Sequence, residues 1–464
     1  MDVFRIQGGA SLEGTLRVNG SKNAALPELA TALLTDQPVV LRDMPDLSDI
    51  RSMMKLLRTL GVEVELAEDA TGARSATLHA TDESRSHAPY EIMRTMRAGI
   101  CTLGPMLARR GRARVSLPGG CAIGDRPVNL HLKGMRALGA TIELESGDIV
   151  ATAPGGRLRG ARVFLGGSFG STVLGTANVM SAATLAEGET IIESAACEPE
   201  IVDLANLLNA MGARISGAGS PRVTIEGVDE LSGADHRVIA DRIEAGTFMV
   251  AAAITRGRLR LENCPLDCLM AATEVLRDSG VKVTEQPGGD PLRATCVVEG
   301  TDRIMPAELT TQPHPGFPTD LQAQFMALLC LADGNSVVTE KIFPERFMHV
   351  AELGRMGASL HRQGATVVIS GVGSLAGAPV MASDLRASAG LVLAGLAASG
   401  QTVINRVYHL DRGYEQLEQR LAGVGAKIER RDDTIAARVA KTAELPEIST
   451  PEIRVVPRRS GAAT

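Results

Sequence analysis

Six times along the chain an amphipathic segment runs into a glycine and continues as an alternating strand: LRTLGVEVE, MRALGATIE, LNAMGARIS, LRDSGVKVT, LGRMGASLH and LAGVGAKIE. The glycines are Gly61, Gly139, Gly212, Gly280, Gly357 and Gly425, and they recur every 68 to 78 residues. A glycine just past a helix supplies the left-handed conformation that ends it and launches a strand. A period of this kind means that one supersecondary unit is repeated and that neighbouring units complete one another's core.

Each unit carries a second helix upstream of the amphipathic one. These six segments are KNAALPELATALL, MRTMRAGICTLGPMLA, GTANVMSAATLA, EAGTFMVAAAI, TDLQAQFMALLCLA and DLRASAGLVLAGLA. They are apolar nearly all round, so burial on most faces is expected. A short strand follows each, in turn PVVLRDM, ARVSLPG, ETIIESA, RLRLENC, SVVTEKI and QTVINRV. The unit therefore reads strand, buried helix, strand, surface helix, strand. A single core stops growing near roughly 250–300 residues, so six units predict two domains of three, dividing near Gly227 to Ala240. Close packing of small-residue helices also accounts for a chain with 2% aromatics, no Trp and 49 Gly. From Lys441 the pattern breaks, and 440–464 reads as a flexible tail.

Composition excludes several function classes. Too few aromatics are present to stack nucleobases, and a net charge of −6 gives no basic footprint for nucleic acid. Met1-Asp2-Val3-Phe4-Arg5 lacks the basic start and apolar run of a signal peptide. The apolar stretches Phe325 to Ala332 and Ala389 to Ala398 are too short to span a bilayer, so no membrane association is expected. Seven cysteines in so long a chain suit a reducing cytoplasm better than a disulfide framework. Cys264 and Cys268 lie close in sequence without further ligands nearby, and the histidines are scattered, so neither metal nor cofactor is expected.

Charged residues recur at equivalent places in the units. The inner helices open with Lys22-Asn23, Arg94 and Arg97, Asp241-Arg242, Thr319-Asp320 and Asp384-Leu385-Arg386. The loops after the middle strands carry Cys121 to Arg126, Glu198 and Glu200, Arg346, and Asp411-Arg412. Helix N-termini attract anions, and Lys or Arg beside them strengthens that preference. Any one of these charges could simply solvate a helix end or pair with a neighbour. A repeated cationic set on buried helices instead implies a cleft for phosphates or carboxylates. The segment Pro118-Gly-Gly-Cys121-Ala-Ile-Gly124-Asp125-Arg126-Pro127 describes an exposed lid-like loop in which Arg126 would lower the Cys121 thiol pKa. A small residue packed in a turn is the alternative. Asp320 opens a buried helix, with Thr319 or Thr311 available for capping; beside cations it could take a proton from a substrate hydroxyl.

At these residues the chain resembles the UDP-N-acetylglucosamine 1-carboxyvinyltransferases, a family of enolpyruvyl transferases. The phrases NGSKNAALP, MRAGICTLGP, SLPGGCAIGDRPVNLH, HPGFPTDLQAQF, FPERFMHVAEL, ASDLRASAGLVLAG and YHLDRGYE carry the likeness from Met1 to about Arg430. The resemblance implies an α/β fold of two inverse domains, each a pseudo-threefold repeat of βαβαββ-type units around buried inner helices. Residues 21–239 would form the first and bear the Cys121 lid. Residues 1–20 and 240–439 would form the second and bear Asp320.

The same likeness implies transfer of the enolpyruvyl group of phosphoenolpyruvate to the 3-hydroxyl of UDP-N-acetylglucosamine, with release of phosphate and no obligate protein partner. Cys121 would protonate the enolpyruvyl methylene, and Asp320 would be the base at the sugar hydroxyl. Lys22, Asn23, Arg126, Arg346, Arg386 and Arg412 would line the phosphoenolpyruvate site, with Lys22 and Arg412 also serving the reaction. Asn23, Arg97, Arg126, Pro127, Val128, Asn129, Leu130, Ser171, Thr172, Val173, Asp320 and Ile342 would reach the sugar nucleotide. Asp125, Asn129, Gly170 and Cys197 depart from the family pattern without removing a catalytic group. A shikimate-3-phosphate transferase of the same fold would lack the Cys-bearing lid phrase. A non-catalytic sugar-nucleotide-binding paralogue would be expected to have lost Cys121, Asp320 or Lys22, and all three are present.

Overall fold

The computed structural model describes residues 2–70, 72–119 and 127–432. Cys121, Asp125 and Arg126 lie outside them, as does the tail 440–464. Among the described residues there are six four-stranded sheets, one for each repeat, and a two-stranded hairpin, Gly166–Gly167 with Gly170–Ser171.

The second unit shows the common plan. His87–Ala88 leads into the inner helical segment, and Arg112–Ser116 follows it. The surface helix Asn129–Ala137 comes next, and Thr141–Glu145 and Asp148–Thr152 close the unit as a hairpin. His87–Ala88 pairs parallel with Arg112–Ser116, which pairs antiparallel with Asp148–Thr152. Each surface helix turns one apolar stripe inward: Ser48–Thr59, for example, buries Ile50, Met53, Met54, Leu56 and Leu57. The inner helices have no solvent face. All thirteen residues of Arg242–Ile254 are buried, and so are all of Leu385–Ala397 except Ala397.

One inner segment departs from the expected continuous helix. MRTMRAGICTLGPMLA is divided among Tyr90–Met93, a 3-10 stretch Arg97–Thr102 and Leu103–Arg110. Pro105 explains the junction of the last two pieces: it has no N–H for the Cys101 carbonyl, and its ring crowds that carbonyl. The tighter 3-10 turns upstream relieve the conflict.

The start of the chain completes its last unit. Asp2–Gln7 inserts antiparallel between Gln401–Asn405 and Lys427–Asp432, where every other unit uses its own closing strand. Glu13–Arg17 adds a parallel edge to Arg258–Cys264, while Asp235–Arg237 adds one to Val39–Arg42. The chain thus crosses twice between the halves, at Gly20 and at Ala240, and the two crossings are bonded to each other. Ser21 N donates to Ile239 O at 2.7 Å, and Asp241 N donates to Asn19 O at 2.8 Å. Asp43 anchors this region by accepting from Arg237 at 2.6 Å and from Arg17 and Arg293 at 3.3 Å. Buried apolar side chains form two clusters, one from Ala24 to Ile239 joined by Cys268, the other from Phe4 to Val18 and Ala240 to Ile428. No helix among the described residues is long and apolar enough to cross a membrane.

The helix-stop glycines are not equally constrained. Gly61 has φ +84°, and a Cβ there would lie 2.0 Å from the Asp82 carbonyl oxygen. Gly139 has φ +89° with nothing within 4 Å of such a Cβ. Gly139→Ala should therefore cost about 1–2 kcal/mol, the left-handed penalty alone. Gly61→Ala should cost about 3 kcal/mol or more, because backbone must also move. Urea denaturation of the two variants checks this; equal losses would contradict it.

Candidate active site

Asp320 sits in the single 3-10 turn Thr319–Leu321, which leads into the inner helix Gln322–Leu329. Neither Thr319 nor Thr311 caps that helix, contrary to the sequence expectation. Both hydroxyls donate instead to fully buried Glu340, at 2.8 and 2.6 Å. A carboxylate with no water around it draws local donors more strongly than a helix end does.

The Asp320 carboxylate is 26% exposed and gathers groups from both halves of the chain. Arg346 Nη1 donates to Oδ1 at 2.8 Å, Arg386 Nη2 donates to Oδ2 at 3.2 Å, and Asn23 Nδ2 lies 3.5 Å from Oδ2. Burial alone would push this carboxyl up. Arg386 and Arg346, with Lys22, outweigh that and hold it far below the usual carboxylate range. Arg386 comes from the first turn of Leu385–Ala397, whose cap is Asp384, accepting from the Arg386 and Ala387 amides at 2.9 and 3.2 Å. One of its guanidinium nitrogens, Nη1, is buried without a hydrogen-bond partner.

A second carboxylate, Asp49, joins Lys22 to Arg412. Lys22 Nζ lies 3.2 Å from Asp49 Oδ2, and Arg412 Nε lies 3.0 Å from Oδ1. Lys22 is the first residue of Lys22–Ala30, capped by Ser21, and Asp49 stands in the first turn of Ser48–Thr59. Burial lowers the Lys22 pKa, and Asp49 opposes that by favouring the charged amine. In the described cluster four cations, Lys22, Arg346, Arg386 and Arg412, thus face two carboxylates. The surplus positive charge, in a place poor in water, suits polyanionic ligands.

Two buried networks fix these groups. Glu340 accepts from Thr311, Thr319 and the amides of Ile342 and Phe343, the last two at 2.8 and 2.9 Å. Thr319 Oγ also accepts from Arg346 Nη1 at 3.0 Å, so Ile342 is connected to Asp320 through Glu340, Thr319 and Arg346. On the other side Gln324 donates to the Asp320 carbonyl at 2.9 Å and to Tyr414 Oη at 3.1 Å. The Tyr414 hydroxyl is 2.9 Å from Thr247 Oγ, and Arg386 lies over the Tyr414 ring.

Lys22, Asn23, Asp320, Arg346, Arg386 and Arg412 are therefore brought together. Cys121 and Arg126 lie outside the described residues. Half-buried Arg97 opens Arg97–Thr102. Pro127 and Val128 precede the helix that Asn129 and Leu130 begin, and Ser171 ends the hairpin before Thr172, which caps Val173–Ala183. No hydrogen bond or ion pair among the described residues ties Pro127, Val128, Asn129, Leu130, Ser171, Thr172 or Val173 to Asp320 or Asp49. Gly170, at φ +107°, would bring a Cβ to 3.1 Å from Pro313 of the other half, so any other residue there would be backbone-strained and tight against that ring.

Two other recurring charges settle into pairs. Buried Arg242 forms a two-pronged bond to Glu200, at 2.9 and 3.2 Å, across the halves, and exposed Arg94 pairs with Glu91. Asp49, Glu340 and Tyr414 were missed in the sequence. Asp49 follows a middle strand and so occupies the loop position that carries the other charges, a signal that could have found it. Glu340 and Tyr414 have no such signal, since each looks like a strand-end or loop residue.

The family model for EPSP synthase (3-phosphoshikimate 1-carboxyvinyltransferase) matches residues 6–421. A UDP-N-acetylglucosamine 1-carboxyvinyltransferase of Anaeromyxobacter sp. (strain Fw109-5) is 54% identical over 430 residues, covering 93% of this chain and 99% of the relative. One of Methylacidiphilum infernorum is 51% identical over 436 residues, with the same coverage of each chain. Among solved structures, the enolpyruvyl transferase NikO from Streptomyces tendae superposes with a TM-score of 0.82 at 23% identity, covering 92% of this chain and 98% of that one. EPSP synthase from Acinetobacter baumannii gives 0.72 at 20% identity, covering 93% and 100%. The two structures establish the shared fold.

Asp49→Asn removes the charge that favours protonated Lys22, leaving burial and the neighbouring arginines to lower its pKa further. Lys22 should then lose its proton at lower pH. The alkaline limb of the pH–rate profile should move to lower pH, with kcat/KM reduced at neutral pH. An unmoved alkaline limb would contradict the assignment.

Proposed function

Because the chain belongs to the UDP-N-acetylglucosamine 1-carboxyvinyltransferases, within the wider EPSP synthase family, we infer that it transfers the enolpyruvyl group of phosphoenolpyruvate to the 3-hydroxyl of UDP-N-acetylglucosamine. Phosphate is released, and the product opens peptidoglycan precursor synthesis. The carrying observation is identity above one half across nearly the whole length of relatives bearing that name. Likeness to shikimate-type enzymes is confined to the fold and the broad family, so the sugar-nucleotide reading is favoured.

The arrangement of charge supports specific roles. Lys22, Arg346, Arg386 and Arg412, with Arg126, hold the phosphate and carboxylate of phosphoenolpyruvate. Asn23 and Asp320 face the sugar. Arg97, Arg126, Pro127, Val128, Asn129, Leu130, Ser171, Thr172, Val173 and Ile342 take the rest of the nucleotide. Asp320 accepts the proton of the 3-hydroxyl as its oxygen bonds to C2 of phosphoenolpyruvate. Cys121 delivers a proton to the methylene carbon, giving a tetrahedral ketal. Loss of phosphate from C2 and of a proton from the new methyl group restores the double bond.

With no ligand, Arg346 and Arg386 make Asp320 a weak base. The anionic groups of the substrates offset those cations, so the carboxylate gains basicity once both substrates are in place. We read the two apolar clusters as two domains that close on the substrates and exclude water from the developing cationic carbon. We place the enzyme in the cytoplasm, where a reducing medium keeps its cysteines as thiols.

Purified protein should release phosphate from phosphoenolpyruvate only when UDP-N-acetylglucosamine is added. Release with shikimate 3-phosphate instead would overturn the acceptor. Asp320→Asn should lower kcat by about 10²–10⁴-fold while UDP-N-acetylglucosamine still binds. Cys121→Ser should end covalent labelling by an epoxide phosphonate, and persistent labelling would mean another nucleophile.

A further inference from the structure

The inner helix Lys22–Ala30 carries a second charged residue that the reaction does not use. Glu28 is 0% exposed, and neither of its carboxylate oxygens has a hydrogen-bond partner. Pro27 precedes it, and apolar Leu26, Leu29 and Ala30 surround it in sequence. Facing it are Asp203, from the surface helix Pro199–Ala210, and His236, from the edge strand Asp235–Arg237. One oxygen of Glu28, one of Asp203 and one ring nitrogen of His236 all lie within 4.8 Å of one another.

Two carboxylates this close cannot both stay ionised in a dry site without a cation between them. Burial first, and Asp203 second, push the Glu28 carboxyl well above the usual range. Among the described residues no arginine or lysine forms an ion pair with either carboxylate. Arg293, near enough to Asp203 to act on it electrostatically, bonds Asp43 and Asn263, and Arg242 is engaged in its bidentate bond to Glu200. Asp203 for its part is already oriented, with Oδ2 accepting from Ile239 N at 2.7 Å and Oδ1 lying 3.1 Å from His236 Nε2.

We propose that Glu28, Asp203 and His236 bind a divalent first-row metal cation, with Zn²⁺ the ion that fits best. Two carboxylate oxygens and one imidazole nitrogen form a three-ligand set of the kind borderline cations take, leaving a fourth position for water. The set is aimed inward by three elements that the fold holds independently: an inner helix, a surface helix and a crossing strand. The His236 side chain, 14% exposed, gives the ion a route from solvent. Sequence separation hid the cluster, because residues 28, 203 and 236 come together only when the first unit meets the third.

The ion would also brace the crossing between the halves. Asp203 holds the Ile239 amide, and the Ile239 carbonyl accepts from Ser21, the residue before Lys22. Ligation would thus tie the strand that leads into the second half to the helix that presents Lys22. The site is structural in this reading and takes no part in the enolpyruvyl transfer.

The test uses the full chain, stripped with chelator, dialysed against Zn²⁺ alone and assayed for bound metal and for thermal midpoint. Wild type should retain one more Zn²⁺ per chain than Glu28→Gln, with at least tenfold tighter binding and a midpoint that rises with Zn²⁺. Cobalt loaded in place of zinc should give a d–d spectrum without a thiolate charge-transfer band, which separates this site from the cysteines. His236→Ala, at the rim, provides a second variant should Glu28→Gln fold poorly, and phosphate release reports that each variant is folded. Equal metal content in wild type and both variants would overturn the proposal. So would wild type that retains no ion, in which case a proton shared by Glu28 and Asp203 relieves the pair.

Discussion

An inner helix buried along its whole length leaves its first polar residues little water, so charge standing there must find a partner inside the protein. Three inner helices of this chain begin with Lys22-Asn23, with Asp320 and with Arg386, and they meet where the halves adjoin. Asp320 answers Arg346 and Arg386, while Asp49 answers Lys22 and Arg412. Removing one member of such a buried pair typically costs about 3–5 kcal/mol, because the survivor is left uncompensated. The positions of the helices and the chemistry of the site are therefore the same constraint.

That constraint also explains why a cluster suited to anions is not a surface patch. The chain as a whole carries a net charge of −6, yet its central cluster has four cations to two carboxylates. In the reaction we infer, protein carboxylates hold the cations in place until phosphate and carboxylate groups arrive to share them. The exchange changes the acid–base character of the residues as well as their contacts. Asp320 is a poor base while Arg346 and Arg386 attend to it, and in that reaction it would become a better one as they turn to a ligand.

Much of this was legible in the sequence because it is periodic. The helix-stop glycines and the apolar inner helices fixed the number and order of units, and the recurring charges at helix starts pointed to Lys22, Asn23, Asp320 and Arg386. The glycine period alone did not show that the chain's first strands belong to its sixth and fourth units, because Asp2–Gln7 and Glu13–Arg17 precede Gly61, the first of the helix-stop glycines. Nor could a count of apolar residues foresee that one inner segment would divide into three pieces, Pro105 interrupting it at the last junction. Glu340 is harder still. It is an ordinary acidic residue at a strand end, and its role exists only through partners that fold next to it.

Glu340 shows what such a hidden residue contributes. It touches neither Asp320 nor Arg346, yet it orients Thr319, which receives a hydrogen bond from the Arg346 group that holds Asp320. The same carboxylate oxygen that takes Thr311 also takes the amides of Ile342 and Phe343. One buried charge thus sets both the tilt of the base and the course of the neighbouring loop. From the opposite side, Gln324 and Tyr414 hold the Asp320 backbone and the Arg386 guanidinium. A carboxylate held from two directions would need little reorganisation in the base role inferred for it. That rigidity comes from residues whose importance lies in satisfying donors that burial would otherwise strand.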